Sequence, residues 1–444
     1  MKDKNKKFYI KTFGCQMNEF DSERIISIMT ENGYVKVDNI VEADLIIFNT
    51  CSVREKAENR LYGHIGNLKT LKNSKNNLII CVGGCAAQNL KDKILRDFPY
   101  VDIVFGTYDI FKLPRLIKMR KDFKKSICST NDYLIFDPED KNNLNSEELK
   151  LANYKNAEKE SFGEYEDFYN FKRKFSFKAF LPVMIGCNNF CSYCIVPFVR
   201  GRERSIKPDI IIEKVKSLVA DGILEIVLLG QNVNSYGNDF YADNNSLTFA
   251  ELLDDIAEIN GLKRIRFFTS HPKDFSSELI QVIKKHKNIM KHIHLPLQAG
   301  SNKILKLMNR KYSRENYIEL YNQIKTDIPD CAITTDIIVG FPQEEEKDFN
   351  QTIEMIENLR FNRAFTFLYS RREGTKAANY KDTVPTDVKK MWFKKLINLQ
   401  NKISLEENLK MVNKNYEVLV EGYDLKKSGL LEGRLENNTI VNFF

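Results

Sequence analysis

Three closely spaced cysteines in the middle of the chain give its clearest chemical signal. Cys187, Cys191 and Cys194 form a Cys-x3-Cys-x2-Cys triplet directly after Gly186. Thiolates are the usual ligands of iron–sulfur clusters, and a cubane cluster contains four irons. Three thiolates therefore leave one iron open, where a small molecule can chelate the metal. The triplet predicts a cluster that acts on what binds to it, in addition to moving electrons.

A zinc site and a disulfide framework are the competing interpretations of these cysteines. Structural zinc prefers four ligands in paired sets of cysteine or histidine, and no histidine or fourth cysteine lies near the triplet. Disulfides belong to oxidising compartments, whereas the first 14 residues lack the long apolar run of a signal peptide. The nine cysteines are therefore expected to be metal ligands and reduced thiols in a cytoplasmic protein.

A second set of three cysteines lies in the first quarter of the chain. Cys15, Cys51 and Cys85 each follow a predicted strand, so they are expected to converge on one edge of a parallel sheet. Three thiolates again suit a cluster with one open iron. The alternative is that they are small buried apolar residues, a common role for cysteine. Cys81, Cys128 and Cys331 lack this setting and are expected to be structural; they are three further members of the nine.

The elements that position the second set are predicted from alternating apolar runs and helical patterns. Over residues 7–120 this alternation indicates an open parallel αβα sheet, and we assign the domain to residues 1–122. Residues 123–175, a charged stretch poor in branched apolar side chains, are expected to form a partly disordered linker. The predicted strands are Phe8 to Ile10, Asp44 to Asn49, Leu78 to Val82 and Val101 to Phe105, and the predicted helices are Ser22 to Glu31 and Arg54 to Leu71.

Strands and helices alternate again over residues 176–412. Six βα units are too few for a closed eight-stranded barrel, so the fold class is α/β with a central partial (βα)6 TIM-like barrel. Residues 413–444 are expected to form a short β segment. The six predicted strands are Phe180 to Ile185, Glu225 to Leu229, Arg264 to Phe268, His292 to Pro296, Ala332 to Val339 and Phe365 to Tyr369.

Polar residues and glycines follow several of these strands. In parallel αβ folds, chemistry collects at the carboxyl ends of the strands, and glycine allows a ligand to approach the backbone closely. Tyr193, in the triplet loop, could place its ring beside an adenine, or it could simply pack in the loop. His271 is expected to be structural. The candidate cofactor-binding residues are Tyr193, Gly230, Gln231, Asn232, Ser270, Gln298, Asp336 and Gly340.

Charge gives a weaker indication of the partner. The chain has 68 Lys and Arg against 60 Asp and Glu, a formal net charge of +8. This balance favours contact with phosphate backbones, although lysine is abundant throughout the chain. Glu432 to Asn438 is predicted to be a polar loop between short strands, which suits either RNA binding or a solvated hairpin. No stretch approaches the length of a membrane span.

Taken together, these motifs resemble the methylthiotransferase family of radical S-adenosylmethionine (SAM) enzymes. The runs around Cys15, Cys51 and Cys85 are similar to that family's amino-terminal cluster domain. The central triplet and the run from Arg200 to Glu203 are similar to its radical SAM domain. The run from Gln16 to Asn18 and the run from Val53 to Ala57 are similar to the branch that modifies dimethylallyladenosine in tRNA.

The resemblance implies an enzyme that transfers a methylthio group to C2 of N(6)-dimethylallyladenosine at position 37 of tRNA. It implies two 4Fe–4S clusters, held by the two cysteine triplets, and two SAM molecules per product. The expected partners are the tRNA anticodon loop, an electron-donor protein and a sulfur donor, with no membrane, and the chain is expected to be a monomer.

Two alternatives keep the chemistry and change the substrate, to threonylcarbamoyladenosine in tRNA or to a ribosomal-protein aspartate. A third is a non-catalytic iron–sulfur protein that binds RNA. The chain also departs from the family pattern at Lys207-Pro208, where arginine usually precedes the proline. Its last residues are similar to about half of a TRAM tRNA-binding barrel.

Overall fold

The computed structural model describes residues 6–52, 55–130, 133–136, 171, 173–240, 247–424 and 429–444. The chain divides into two compact units. The first comprises Met1–Ser176 with Ile195–Gly201, and the second comprises Phe177–Cys194 with Arg202–Phe444.

The first unit is built on a seven-stranded sheet with helices on both faces. The strand order is β2-β1-β3-β4-β5-β6-β7, and every pair is parallel except the antiparallel β6–β7 edge. The strands are β1 Lys6–Phe13, β2 Tyr34–Lys36, β3 Leu45–Thr50, β4 Ile79–Gly84, β5 Ile103–Phe105, β6 Ile127–Thr130 and β7 Tyr133–Phe136. The helices are α1 Gln16–Glu31, α2 Glu55–Gly66, α3 Leu68–Ser74, α4 Cys85–Leu90, α5 Lys93–Asp97, α6 Leu113–Phe123 and α7 Val196–Arg200.

The central strands of this sheet are buried on both faces, as parallel strands between two helical layers must be. All six residues of β3 and all six of β4 are buried. Alternate side chains enter two apolar clusters, one containing Ile46 and Phe48 and the other containing Leu45 and Ile47. The predicted parallel αβα sheet is therefore confirmed.

The start of the predicted linker is wrong, because β6 and β7 lie inside it. All four residues of β6 are buried, and three of them, Ile127 to Ser129, pair in parallel with β5, so this strand extends the sheet. The charged composition of residues 121–175 as a whole concealed this short apolar run. Residues 137–170 lie outside the described part of the chain, and the other domain limits stay predictions.

The second unit contains six parallel strands in two groups of three. The groups have the orders β12-β11-β8 and β13-β14-β15, and a parallel bridge between Ile265 and Ile289 lies between them. The six-strand count agrees with the predicted partial (βα)6 arrangement. The strands are β8 Lys178–Pro182, β11 Glu225–Leu229, β12 Arg264–Phe267, β13 His292–His294, β14 Ala332–Val339 and β15 Arg363–Leu368, with a short antiparallel pair of β9 Met184–Ile185 and β10 Arg204–Ser205.

Helices alternate with these strands along the chain, and the last helix follows β15. Several begin at a side-chain cap; Thr248, for example, forms a capping box with Glu251. The helices are α8 Pro208–Ala220, α9 Phe249–Ala257, α10 Ser277–Lys285, α11 Asn302–Leu307, α12 Arg314–Asp327, α13 Glu346–Leu359 and α14 Thr386–Leu409.

The C-terminal segment is a three-stranded antiparallel sheet of β16 Leu419–Tyr423, β17 Leu431–Arg434 and β18 Ile440–Phe443. The predicted polar loop from Glu432 to Asn438 is wrong in its first half, because β17 is the middle strand. Arg264 donates to the carbonyl of Arg434 at 2.7 Å, and Arg266 donates to the carbonyl of Leu435 at 2.7 Å. These two guanidinium groups attach the small sheet to β12.

Within the part of the chain that the structure describes, no helix combines the length and the apolar character needed to cross a bilayer.

Candidate metal centres

Strand register brings the first cysteine set together. Phe13 of β1 pairs with Thr50 of β3, and Thr50 pairs with Gly84 of β4, so three adjacent strands end in one row. Cys15 lies two residues after the end of β1, and Cys51 and Cys85 directly follow β3 and β4. Neighbouring strands are about 4.8 Å apart, so the row presents three thiols across about 10 Å of sheet edge.

Two glycines in this row have a packing reason that no other residue satisfies. A Cβ on Gly14 would lie 2.3 Å from Asn18 Oδ1 and 2.9 Å from the Cβ of Cys51. Gly84 has a φ of +91°, and a Cβ there would lie 2.6 Å from the carbonyl oxygen of Thr50. Removing the side chain at both positions therefore lets the cysteine-bearing loops approach one another.

A buried amide pair fixes the loops that follow β1 and β3. Asn49 Nδ2 donates to the carbonyl of Asn18 at 2.8 Å and to Ser22 Oγ at 2.9 Å. Asn18 Oδ1 in turn accepts from the backbone N–H and the thiol of Cys15, both at 3.4 Å. Asn18 and Asn49 are fully buried, so each amide needs these partners. They tie the position of Cys15 to strand β3.

The electrostatics differ between the members of this set, and they favour the thiolate at Cys15. A hydrogen bond with the Cys51 side chain lowers the pKa of Cys15 to about 6. Burial raises the pKa of Cys85, while the charge of Arg200 opposes that rise. Arg200 Nε lies 3.3 Å from Cys85 Sγ, and its Nη2 lies 2.5 Å from Asp21 Oδ2. Arg200 and Asp21 are both buried, so an ion pair adjoins one member of the set.

The surroundings of this set fit an iron–sulfur cluster. Three buried polar atoms, Thr50 Oγ1, Ser52 Oγ and Gln88 Oε1, have no hydrogen-bond partner among the described residues. Buried polar groups are nearly always satisfied. The two hydroxyls, of Thr50 and Ser52, can donate to sulfide or thiolate, whereas the Gln88 oxygen can only accept. Two of the three atoms flank Cys51, and Gln88 lies on the helix that begins at Cys85.

The second triplet lies in a loop between β9 and the start of α7, and hydrogen bonds from several elements fix the loop. The N–H of Asn188 donates to Glu203 Oε1 at 2.9 Å, and Asn309 Nδ2 donates to the carbonyl of Phe190 at 2.9 Å. Ser192 accepts from the N–H of Ala377 at 2.7 Å. A loop held at this many points presents its thiols in one arrangement.

Two members of the triplet, Cys187 and Cys191, are buried, and Cys194 is half-buried. Burial raises the pKa of Cys187 to about 11, so a thiolate at this position needs a nearby positive charge such as iron. Asn189 Nδ2 lies 3.5 Å from Cys187 Sγ, and Arg310 Nη1 lies 3.3 Å from Cys191 Sγ. Donors of this kind surround thiolate sulfurs in iron–sulfur sites, so the triplet fits a cluster.

Unsatisfied polar atoms collect at the ends of β11 and β12. Asn232 Oδ1, Asn234 Nδ2, Ser270 Oγ and His271 Nε2 are buried without a hydrogen-bond partner among the described residues. His271 Nδ1 accepts from the N–H of Lys273 at 3.3 Å, and burial lowers the His271 pKa to about 2. The neutral ring therefore carries its proton on Nε2, as a donor without an acceptor. Such a group of atoms fits a polar ligand such as SAM.

Among the remaining predicted cofactor residues, Gln231, Gln298 and Asp336 have polar side chains, and Tyr193 has an aromatic one. Gln231 Oε1 accepts from the N–H of Gly186, beside the triplet. Asp336 lies 3.3 Å from His294, and its carbonyl accepts from the N–H of Gln298 at 2.8 Å. These polar groups lie at strand ends, as expected. Tyr193 is half-buried against an apolar cluster that includes Met308.

Packing inside the chain accounts for the two glycines among the predicted cofactor residues, Gly230 and Gly340. A Cβ on Gly230 would lie 2.7 Å from Met184 Cγ, and one on Gly340 would lie 2.5 Å from Lys389 Cγ. The N–H of Gly340 also donates to Glu344 Oε2 at 2.5 Å. The chain's own side chains therefore explain both glycines without a ligand.

Two family models match the regions that contain the two cysteine sets. The model described as "Uncharacterized protein family UPF0004" matches residues 7–106, and the Radical SAM superfamily model matches residues 181–356. A tRNA-2-methylthio-N(6)-dimethylallyladenosine synthase of Acetivibrio thermocellus is 46% identical over 99% of this chain and 86% of its own length. The chain belongs to the tRNA-2-methylthio-N(6)-dimethylallyladenosine synthase family. A synthase of Clostridium tetani is likewise 46% identical, over 99% of this chain and 91% of its own length.

A solved structure supports the radical SAM fold of this synthase-family chain. The radical SAM methyltransferase TsrM of Kitasatospora setae, with cobalamin and a [4Fe-4S] cluster bound, matches with a TM-score of 0.58 at 13% identity. The match covers 84% of this chain and 77% of that chain.

Sequence reasoning missed four residues of these synthase-family centres. Arg200 was noted only as part of a motif, and its partner Asp21 lies 179 positions away. Arg310 follows a helix and belongs to no recognised run. The sequence predicts a structural role for His271, because it does not show that Nε2 lacks an acceptor among the described residues. Only burial and hydrogen-bond partners could have identified these roles.

Proposed function

We propose that this chain transfers a methylthio group to C2 of N(6)-dimethylallyladenosine at position 37 of tRNA. The observation that carries the proposal is the presence of two cysteine triplets, one at the carboxyl ends of the parallel strands β1, β3 and β4 and one in the loop that follows β9. Buried polar atoms without a hydrogen-bond partner among the described residues lie beside the first triplet and at the ends of β11 and β12. Full-length relatives at 46% identity bear the name of this activity.

In this proposal the two triplets hold two different 4Fe–4S clusters. Cys187, Cys191 and Cys194 hold the cluster that binds SAM, and the set that includes Cys51 holds the cluster that carries sulfur. When bound, these cofactors supply reductive cleavage of SAM to a 5′-deoxyadenosyl radical, removal of the C2 hydrogen, and delivery of sulfur and a methyl group from a second SAM.

The chain's own polar groups orient SAM. Asn232 Oδ1 and His271 Nε2–H are an acceptor and a donor that each lack a partner, and Ser270 Oγ can serve as either. A SAM molecule offers an amino group, a carboxylate and ribose hydroxyls to such atoms. Burial of these groups excludes water, which protects a radical from side reactions.

An aromatic face on the edge strand β15 suits the RNA base. Phe365 and Phe367 are 38% and 36% exposed. They are two positions apart on β15, so their side chains lie on the same face of the strand. Phe365 pairs with Asp336 in the register of β14 and β15, and the guanidinium of Arg363 lies 4.8 Å from its ring centroid. Bases that are turned out of a loop stack on aromatic rings and guanidinium planes, and the target adenosine must leave its loop to be modified.

The test is a reaction with the anaerobically reconstituted full chain, SAM, a chemical reductant and tRNA that carries dimethylallyladenosine. We expect 5′-deoxyadenosine and 2-methylthio-N(6)-dimethylallyladenosine, measured by mass spectrometry of digested tRNA. Product only from tRNA that carries threonylcarbamoyladenosine, or only on a ribosomal-protein aspartate, would contradict the substrate assignment. In the cell, the proposed reaction needs two further partners, an electron-donor protein and a sulfur donor.

A further inference from the structure

Arg310 is a buried cation beside the central triplet. It follows helix α11 by three residues and is 9% exposed. Its guanidinium makes three contacts: Nη1 lies 3.3 Å from Cys191 Sγ, Nε lies 3.0 Å from the Tyr312 hydroxyl, and Nη2 lies 3.2 Å from the carbonyl of Pro296. These contacts use all three nitrogens of the planar group, so its position relative to the sulfur is fixed.

The tyrosine is held as firmly as the arginine. The Tyr312 hydroxyl accepts from Arg310 and donates to the carbonyl of Leu297 at 2.8 Å. The ring of His271 packs against Tyr312 edge-on, with centroids 5.6 Å apart. Arg310 therefore cannot turn towards another partner without breaking several buried hydrogen bonds.

No carboxylate neutralises the charge of Arg310 among the residues that the structure describes. Its guanidinium contacts only the Cys191 thiol, the Tyr312 hydroxyl and the carbonyl of Pro296 in that part of the chain. Arg200 differs, because Asp21 neutralises its charge at 2.5 Å while it contacts Cys85. The central triplet thus adjoins an uncompensated cation, and the first set adjoins an ion pair.

We propose that Arg310 raises the reduction potential of the cluster held by Cys187, Cys191 and Cys194. This inference rests on the cluster that the proposed function places there. Reduction adds one electron from a low-potential one-electron donor and breaks no bond, and the cluster with its thiolates becomes more negative by one charge. A fixed cation and a donor to a ligand sulfur stabilise the reduced form more than the oxidised form, because potentials follow net charge and hydrogen bonds to sulfur.

The test is a redox titration followed by electron paramagnetic resonance, without SAM or tRNA. The parent is the full chain with Cys15→Ala, Cys51→Ala and Cys85→Ala, so that one cluster contributes the signal. Arg310→Met removes both the positive charge and the hydrogen-bond donor to the Cys191 sulfur, and Arg310→Gln removes only the charge. Arg310→Lys keeps the charge but loses the planar guanidinium that makes three contacts at once. Lys311→Gln is the control, since Lys311 is the exposed neighbour.

At the midpoint potential of the parent, we expect Arg310→Met and Arg310→Gln to lower the ratio of reduced to oxidised cluster at least about tenfold, or about 59 mV for one electron. Arg310→Lys should lower it less, and Lys311→Gln should change it less than about twofold because solvent screens exposed charges. An unchanged ratio in a neutral variant that retains its iron and sulfide overturns the proposal.

Three further outcomes are decisive. If neither neutral variant retains a cluster, Arg310→Lys decides the matter, and a ratio equal to that of the parent overturns the proposal. A loss of SAM affinity with an unchanged potential shows that Arg310 contacts SAM and does not tune the cluster. Failure of the parent itself to assemble a cluster contradicts the proposed function, which separates the two failures.

Discussion

Gly14→Ala tests how closely the first cysteine set must pack. The added methyl would lie 2.3 Å from Asn18 Oδ1 and 2.9 Å from the Cβ of Cys51. Asn18 cannot move away freely, because it is fully buried and hydrogen-bonded to Asn49 and Cys15. Overpacking costs about 1–3 kcal/mol, and a lost buried hydrogen bond costs about 1 kcal/mol more. We therefore expect the free energy of unfolding to fall by about 2–4 kcal/mol.

The matched control is Gly63→Ala in helix α2. Among the described residues, and apart from the chain neighbours of Gly63 and the backbone of its own helix, no atom lies within 4 Å of the position that its Cβ would occupy. Alanine is the better helix former by about 0.5–1 kcal/mol, so this variant should be slightly more stable than the parent. Both free energies are measured by urea denaturation of the chain without clusters, followed by circular dichroism.

Iron content after anaerobic reconstitution provides the functional readout of the same pair. Gly14→Ala should retain about four irons of about eight, because only the first cluster is displaced, and Gly63→Ala should retain them all. If Gly14→Ala unfolds like Gly63→Ala and binds as much iron, the close approach of the two cysteine loops is not needed for the site.

Three further outcomes are expected. Cys191→Ala should abolish formation of 5′-deoxyadenosine and keep the first cluster, whereas Cys51→Ala should cleave SAM without forming the methylthio product; assays of both products check this, and SAM cleavage by Cys191→Ala would contradict it. Phe365→Ala should weaken tRNA binding by about 1–3 kcal/mol, the value of one stacked base, seen as a raised KM for tRNA, while the exposed Leu405→Ala should leave KM unchanged. Burial raises the pKa of Glu344 to about 7, so its contribution to stability is full below the ordinary pKa near 4.5 and is lost as pH rises through about 7; Glu344→Gln should flatten this part of the stability–pH curve, and an unchanged curve would refute the assignment.

The sequence predicted the convergence of the first cysteine set because its signal is local. Each cysteine follows an apolar run, and parallel strands end at one edge, so Cys15, Cys51 and Cys85 could be placed without knowing any contact. The same argument placed Asn232 and Ser270 at strand ends. These inferences use only alternation and chain direction, which the sequence records directly.

The parts that the sequence did not predict depend on contacts between distant residues. The pairing of Arg200 with Asp21 joins positions far apart in the chain, and no local pattern indicates it. The sequence also does not show that the side chains of Met184 and Lys389 fill the space beside Gly230 and Gly340. Strand β6 was missed because a short apolar run was averaged into a charged segment.

The most direct test of the central claim is nucleoside mass spectrometry of tRNA from cells that lack this gene. The account predicts that 2-methylthio-N(6)-dimethylallyladenosine disappears, that N(6)-dimethylallyladenosine takes its place, and that the wild-type chain restores the product while Cys51→Ala and Cys191→Ala do not. Unchanged levels of the methylthio nucleoside in the deletion strain, or full restoration by either variant, would contradict it.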